Sequence, residues 1–112
     1  MNELQAKLHD AMHSHGFDAV MAMGPDNFAY LTQATLPFAP NYPDRRALVL
    51  QTREGYACVI SPYAWAVAIK DQGWQGELIS YQEGTPHRAL LTAVTQTLVD
   101  AGLTRARICL LY

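Results

Sequence analysis

The sequence has few cysteines, little net charge and no long apolar run, and each shortage excludes a class of protein. Acidic and basic residues are mixed along the chain and sum to a formal net charge of -2, which offers no basic face to a nucleic-acid backbone. No apolar run approaches the ~20 residues of a membrane span. Residues 1–5 lack the basic-then-apolar pattern of a signal peptide. The charge pattern and the lack of a long apolar run therefore predict no nucleic-acid or membrane partner. The low number of cysteines, two, fits the cytoplasmic location that we expect.

The chain does contain enough apolar residues for one core. Half of its 112 residues are hydrophobic, too many for a disordered chain, and the length fits one domain. Both cysteines, Cys58 and Cys109, lie in apolar stretches. We interpret them as small buried hydrophobic residues, with a disulfide or a reactive thiol as the alternatives.

Helical and strand patterns alternate along the sequence. An apolar stripe predicts a first helix over residues 3–15, and Gly16 suits the left-handed position after it. The stripe consists of Leu4, Leu8, Ala11 and Met12. Strands are predicted at 18–23, 46–52, 56–61, 77–81 and 107–111, with a hairpin turn at 53–55. The order αβαββαβαβ predicts an α/β fold with a mixed, partly parallel sheet of about five strands flanked by helices.

Proline introduces the three later helices. Pro25 is pre-set for a first helical turn, and Asp26 and Asn27 suit a helix start. Ser61-Pro62 and Thr85-Pro86 each predict an N-cap followed by a proline in the first turn. The side chains expected on apolar helix faces are Phe28, Tyr30, Leu31, Trp65, Ala68, Ile69, Leu90, Leu91, Val94, Leu98 and Ala101.

Two patterns that suggest ligand sites are better explained by structure. The turn at 23–27 joins a strand to a helix, as phosphate-binding turns do, but Pro25 removes a backbone donor and Asp26 would repel an anion. His9 and His13 have a spacing that can hold a metal, but the pattern is H-D-A-M-H rather than H-E-x-x-H. We therefore predict neither a nucleotide site nor a metal site.

A nucleophilic site is not indicated either. The sequence has no G-x-S-x-G elbow, and Ser61 is explained as a helix cap.

The segment at 33–44 combines three prolines with apolar side chains, which predicts a loop that packs on another surface. Arg45 follows it and is open to two interpretations, a solvated charge or an anion contact, because a guanidinium fork suits a carboxylate.

The most specific stretch is 16–32, which indicates a helix stop, a buried strand, a tight turn and a helix ending in Tyr30-Leu31-Thr32. With the strand at 46–50, the Thr85-Pro86 helix start and the closing strand at 106–110, it resembles the N-terminal domain of the creatinase / Xaa-Pro aminopeptidase / prolidase family. The resemblance covers nearly the whole chain. It implies a creatinase N-terminal-domain-like fold of the ribonuclease H-like kind.

The resemblance also implies that the chain alone is not catalytic. Family members continue into a pita-bread catalytic domain, whose Asp, His and Glu ligands usually bind two divalent metal ions, Mn or Co, and cleave a peptide bond before proline. None of those ligand motifs occurs in this sequence, and its last residues, 110–112, look cut rather than finished. We expect residues 1–112 to be a single creatinase-type N-terminal domain from a Xaa-Pro dipeptidase or aminopeptidase, without the catalytic domain.

In such a family the N-terminal domain supports oligomer assembly, and its loops help to wall the active site of a neighbouring subunit. The segment 36–46 resembles the one that does so. The residues expected to contact substrate are Arg45 and Arg46, with Tyr42 and Phe38 as an apolar wall. The expected partners are the catalytic domain and a second copy of the chain in a homodimer.

Two other interpretations stay open. The chain could belong to a creatinase-like hydrolase acting on creatine or a related small amide, because the discriminating residues lie in the catalytic domain. It could also be a free-standing α/β interaction module, which would need a finished C-terminus.

Overall fold

The computed structural model describes residues 3–23, 25–34, 47–81 and 86–111, excluding the side chains of Leu4, Gln5, Pro25, Pro86 and His87. Its helices are α1 (Glu3–His15), α2 (Pro25–Thr32), α3 (Tyr63–Asp71) and α4 (Pro86–Asp100). Its strands are β1 (Ala19–Met23), β2 (Leu48–Thr52), β3 (Ala57–Pro62), β4 (Glu77–Tyr81) and β5 (Ile108–Leu111). The predicted element order is confirmed.

The strands form one mixed sheet in the order β4-β3-β2-β1-β5. β2 is antiparallel to both β1 and β3, whereas β3 is parallel to β4 and β1 is parallel to β5. All strands except β2 therefore end on the side of the sheet where β2 begins, and we name this side the carboxyl edge. The opposite edge, where β2 ends, is the amino edge.

The two faces of the sheet carry separate cores. Helices α1, α2 and α3 cover one face, in a core that contains Met12, Phe28, Leu31, Val20, Val49, Val59 and Ile69. Helix α4 covers the other face, in a core that contains Leu90, Met21, Leu50, Cys58, Ile60 and Tyr81. Burying one such side chain stabilises the fold by about 1.5–3 kcal/mol. Every helix in the described ranges is too short or too polar to span a bilayer.

Helix α1 ends where the glycine pattern predicts. Gly16 has a φ of 72°, and the Phe17 N–H donates to the Met12 carbonyl at 2.9 Å. These are features of a left-handed helix end, which favours glycine because other residues have a Cβ there.

The predicted cap of α3 is wrong. Ser61 is the fifth residue of β3, pairs with Ser80 of β4 and is fully buried. Its hydroxyl donates to the Pro62 carbonyl at 3.1 Å, so it does not cap the helix. Pro62 itself occupies the N-cap position without a side-chain hydrogen bond. The sheet extends one residue further than the capping pattern indicates, because the parallel ladder includes Pro62. Thr85, the other predicted cap, lies outside the described residues.

Three residues predicted on apolar helix faces are exposed instead. Ala11, Tyr30 and Leu91 point away from both cores, and Ala101 lies beyond the end of α4 and is also exposed. Each helix packs on the sheet through a narrower stripe than its apolar residues span. Trp65, Ala68 and Ile69 do lie on the inner side of α3, as predicted.

Candidate functional site

A groove of about 830 Å³ lies at the amino edge. It is bounded by the β2–β3 turn, by Asp18 just before β1, by the start of β4, and by the end of α4 with the loop that follows. Its ionisable lining residues are Asp18, Arg53, Glu54, Tyr56, Glu77, Asp100 and Arg105.

Asp18 joins three strands at this groove. Its Oδ2 accepts a hydrogen bond from the Arg107 backbone N–H at 2.9 Å, just before β5. Its Oδ1 lies 3.5 Å from Nη2 of Arg53, just after β2, and its main chain is hydrogen-bonded to both arginines at 2.8 Å. Because the Asp18–Arg53 pair is partly exposed, it contributes at most about 1 kcal/mol. The Asp18 carboxylate therefore serves mainly to link the residues that flank β1, β2 and β5.

Tyr56 and Glu77 meet where β3 and β4 begin. The Tyr56 hydroxyl donates to Glu77 Oε2 at 2.6 Å, and burial together with this hydrogen bond raises the pKa of Tyr56 above its ordinary range. Cys58, which pairs with Glu77 in the sheet, is fully buried. Burial raises the pKa of the Cys58 thiol to about 11. The phenol and the thiol are therefore protonated at neutral pH, which makes Cys58 a poor nucleophile.

These contacts give the groove a structural role. The carboxylates of Asp18 and Glu77 already accept hydrogen bonds. In the described part of the chain, no group of three or more His, Cys, Asp or Glu side chains is placed to hold a metal ion. The groove also lies opposite the edge at which open α/β sheets bind ligands, since those ligands sit outside the carboxyl ends of the strands.

The carboxyl edge is the conventional ligand-binding edge of an open α/β sheet, and the chain is described again from Ala47, which lies there. Buried Ala47 directly precedes β2 at this edge. The predicted contact residues Phe38, Tyr42, Arg45 and Arg46 lie outside the described residues.

The histidine pair of α1 lies on a solvated helix face, as expected. His13 is exposed, and the Nδ1 atom of His9 lies 3.8 Å from Oδ1 of its neighbour Asp10. A single carboxylate at this distance is not a metal site. Free Cys58 is buried as expected, whereas free Cys109 is only half-buried because it lies on the outermost strand, β5.

The sequence did not reveal the contact between Tyr56 and Glu77 or the contacts that Asp18 makes with Arg53 and Arg107. Tyr56 and Glu77 are 21 residues apart, and Asp18 and Arg107 are 89 apart. Their approach follows from the parallel pairing of β3 with β4 and of β1 with β5, which local patterns do not determine. The available signal was only that each of these residues lies at a predicted strand end.

Solved structures of related fold include peptidase domains. The N-terminal domain of a Xaa-Pro dipeptidase from Lactobacillus brevis superposes with a TM-score of 0.76 at 14% identity, covering 97% of this chain and 75% of that chain. A dipeptidase from Pyrococcus horikoshii OT3 gives a TM-score of 0.74 at 17% identity, covering 96% of this chain and 27% of that chain. A proline dipeptidase from Streptococcus agalactiae 2603V gives 0.65 at 12% identity, covering 97% and 92%. At these identities the likeness shows the fold.

This chain thus spans three quarters of the Lactobacillus structure and about a quarter of the Pyrococcus enzyme. No curated protein matches it at a significant level. The sequence profile of the creatinase/prolidase N-terminal domain matches residues 5–110, which is nearly the whole chain. The chain therefore belongs to the creatinase/prolidase N-terminal domain family.

Proposed function

We propose that this chain is the non-catalytic N-terminal domain of a larger Xaa-Pro dipeptidase or aminopeptidase. The observation that carries the proposal is the family match over residues 5–110, combined with a structural match that covers only 27% of the Pyrococcus horikoshii dipeptidase chain. In an enzyme of that length, most of the chain lies outside this domain and is available for the catalytic machinery.

In this proposal the metal chemistry belongs to a further domain. Two divalent ions, Mn or Co, would be bound there. The described residues of this chain do not fit them, because no group of three or more His, Cys, Asp or Glu side chains is placed to hold a metal ion. We therefore expect the 112-residue chain to have no peptidase activity by itself.

The proposed role of the chain is to frame the active site from its carboxyl edge. Arg46 directly precedes Ala47, and Ala47 lies at the edge where β1, β3 and β4 end. Arg45 and Arg46 would offer guanidinium groups to the carboxylate of a short peptide. Phe38 and Tyr42 would form the apolar wall beside them.

The second proposed role is assembly of a homodimer. Helix α3 presents Tyr63 and Val67 to solvent, 70% and 63% exposed, one turn apart on the outer face of the helix. Exposed apolar side chains that are neighbours on a helix support an interaction surface. Helix α3 begins at the carboxyl edge, because it directly follows β3, so such an interface would lie beside the proposed substrate contacts.

Replacing Arg45 in the full-length enzyme tests the framing role. We expect Arg45→Ala to raise KM for Xaa-Pro dipeptides about tenfold or more, because it removes a charge-assisted hydrogen bond worth roughly 1.5–3 kcal/mol, with a smaller effect on kcat. Arg105→Ala is the matched control, since Arg105 is exposed at the amino edge, and it should leave KM unchanged. Equal KM values for the wild type and Arg45→Ala would exclude Arg45 from the substrate site.

Assembly is measured on the same full-length protein by light scattering during gel filtration. A dimer mass that Tyr63→Ser shifts toward the monomer supports the assembly role. A dimer that the substitution leaves intact places the interface elsewhere.

A further inference from the structure

The outer face of helix α4 carries two exposed apolar side chains. Leu91 is 65% exposed and Val99 is 52% exposed, and exposed Thr95 lies midway between them. Residues four apart are neighbours on a helix surface, so these three side chains form one stripe along α4. The other side of the helix packs on the sheet through Leu90 and Leu98. The stripe therefore faces away from the core.

A shallow hollow on this face has the form of a hole for one side chain of another helix. Its volume is about 480 Å³, and it is lined by Arg88, Leu91, Thr92, Thr95 and Gln96. The first four of these have the spacing i, i+3, i+4, i+7. Four residues of one helix form such a hole when helices pack with knobs in holes. The hollow is therefore suited to a side chain presented by a second helix.

The charges of α4 are placed against the dipole of the helix. Arg88 is its third residue and Asp100 is its last, although helix dipoles favour anions at the N-terminus and cations at the C-terminus. Among the described residues Arg88 forms no salt bridge. An antiparallel helix beside α4 would bring its C-terminus to Arg88 and its N-terminus to Asp100. Both charges would then have a favourable neighbour.

A second copy of α4 has the sequence that this arrangement needs. Leu91 and Val99 lie four residues on either side of Thr95, so a two-fold axis at Thr95 places Val99 of one copy beside Leu91 of the other, at the hollow. The same operation places Arg88 beside the end of the other helix that carries Asp100. Because a two-fold interface repeats every contact, one surface supplies both the knob and the hole.

We propose that two copies of this chain associate through antiparallel packing of their α4 helices, with Val99 of each copy in the hollow of the other. This interface lies on the opposite face of the sheet from α3, and it does not rest on the proposed function. The exposed stripe of one 15-residue helix offers less than the ~800 Å² per partner of a stable interface. The association should therefore be weak and should depend on protein concentration.

Disulfide trapping tests the geometry in the 112-residue chain, with Cys109→Ser removing the half-buried thiol. Thr95→Cys should form a covalent dimer under mild oxidation, because position 95 meets its own copy across the axis, within disulfide reach. Thr92→Cys is the matched control, since exposed Thr92 would lie about 9 Å from its own copy along the helix axis alone. We expect at least tenfold faster trapping at 95 than at 92. Equal rates would overturn the proposal.

Substitution of the knob tests the same interface by sedimentation equilibrium. Val99→Lys places a cation against Arg88 of the other copy and should raise the dissociation constant of the dimer at least tenfold. Val67→Lys is the matched variant on exposed α3 and should leave this dimer unchanged. A dimer that Val67→Lys or Tyr63→Ser dissociates and Val99→Lys leaves intact would overturn this inference while supporting the assembly role proposed for α3.

Discussion

At the scale of single residues, helix α2 ends in a side chain, that of Thr32, which satisfies backbone groups at the helix end. Thr32 Oγ1 donates to the Phe28 carbonyl at 2.7 Å and accepts the Ala34 N–H at 3.0 Å. Between them, Gln33 has a left-handed φ of 61°, a conformation that helices usually assign to glycine. The buried hydroxyl therefore supports the helix end at a position where the backbone is not intrinsically favoured.

Replacing Thr32 with valine should be clearly destabilising. Thr32→Val keeps the shape of the side chain but leaves the N–H of buried Ala34 without this acceptor, so we expect a loss of about 1–3 kcal/mol in the free energy of unfolding. Urea denaturation followed by circular dichroism measures it. Thr95→Val is the matched control, because Thr95 is exposed and its hydroxyl donates to the Leu91 carbonyl within the same helix, and it should change stability by less than about 0.5 kcal/mol. Equal losses in the two variants would contradict the capping role of Thr32.

At the scale of elements, the turn between α3 and β4 depends on a glycine for reasons of space. A Cβ on Gly76 would lie 2.5 Å from Cζ2 of Trp74 and 2.8 Å from the backbone oxygen of Ala57. The Trp74 indole is held in place, because its Nε1–H donates to the Glu77 carbonyl at 3.0 Å. The entry into β4, and with it the Tyr56–Glu77 contact, thus requires a residue without a side chain.

Gly76→Ala should therefore destabilise the fold by about 1–3 kcal/mol, the usual cost of overpacking. Thermal unfolding gives the loss, and tryptophan fluorescence should report a displaced Trp74 indole. Gln75→Ala, one residue earlier at an exposed position, is expected to be nearly neutral. An alanine at position 76 with wild-type stability and fluorescence would show that the turn is more open than the structure indicates.

Element order could be predicted from the sequence, because helices and strands leave local periodic patterns. The exact ends of the strands, and which strands are neighbours in the sheet, could not be predicted in this way. Asp18 and Arg107 were predicted as strand residues but lie just outside β1 and β5, where hydrogen bonds between them replace the ladder. Tyr30 and Leu91 were predicted on apolar faces and are exposed. How much of a helix face is buried depends on the sheet against which the helix packs, and local patterns do not show this. The Tyr56–Glu77 contact likewise depends on a crossover between parallel strands.

At the scale of the whole molecule, the protonated groups at the amino edge predict a loss of stability at alkaline pH. The thiol of Cys58 and the phenol of Tyr56 both have raised pKa values in the fold, that of Cys58 reaching about 11 from an ordinary value of 9.0. Between those two pH values an unfolded chain releases the thiol proton while the folded chain keeps it. The unfolded state then binds fewer protons, so stability decreases as pH rises.

The slope for one proton is about 1.4 kcal/mol per pH unit. The contribution of Cys58 is fully present below pH 9 and is lost on the way to pH 11, and Tyr56 acts in the same direction at higher pH. Urea midpoints measured between pH 7.5 and 10.5 should therefore fall more steeply above pH 9 in the wild type than in Cys58→Ala, although the variant is less stable at neutral pH because it leaves a small cavity. Parallel curves for the two proteins would contradict a thiol that stays protonated in the fold. A flatter curve for Cys58→Ala would show that the thiol is a buried structural group of the sheet.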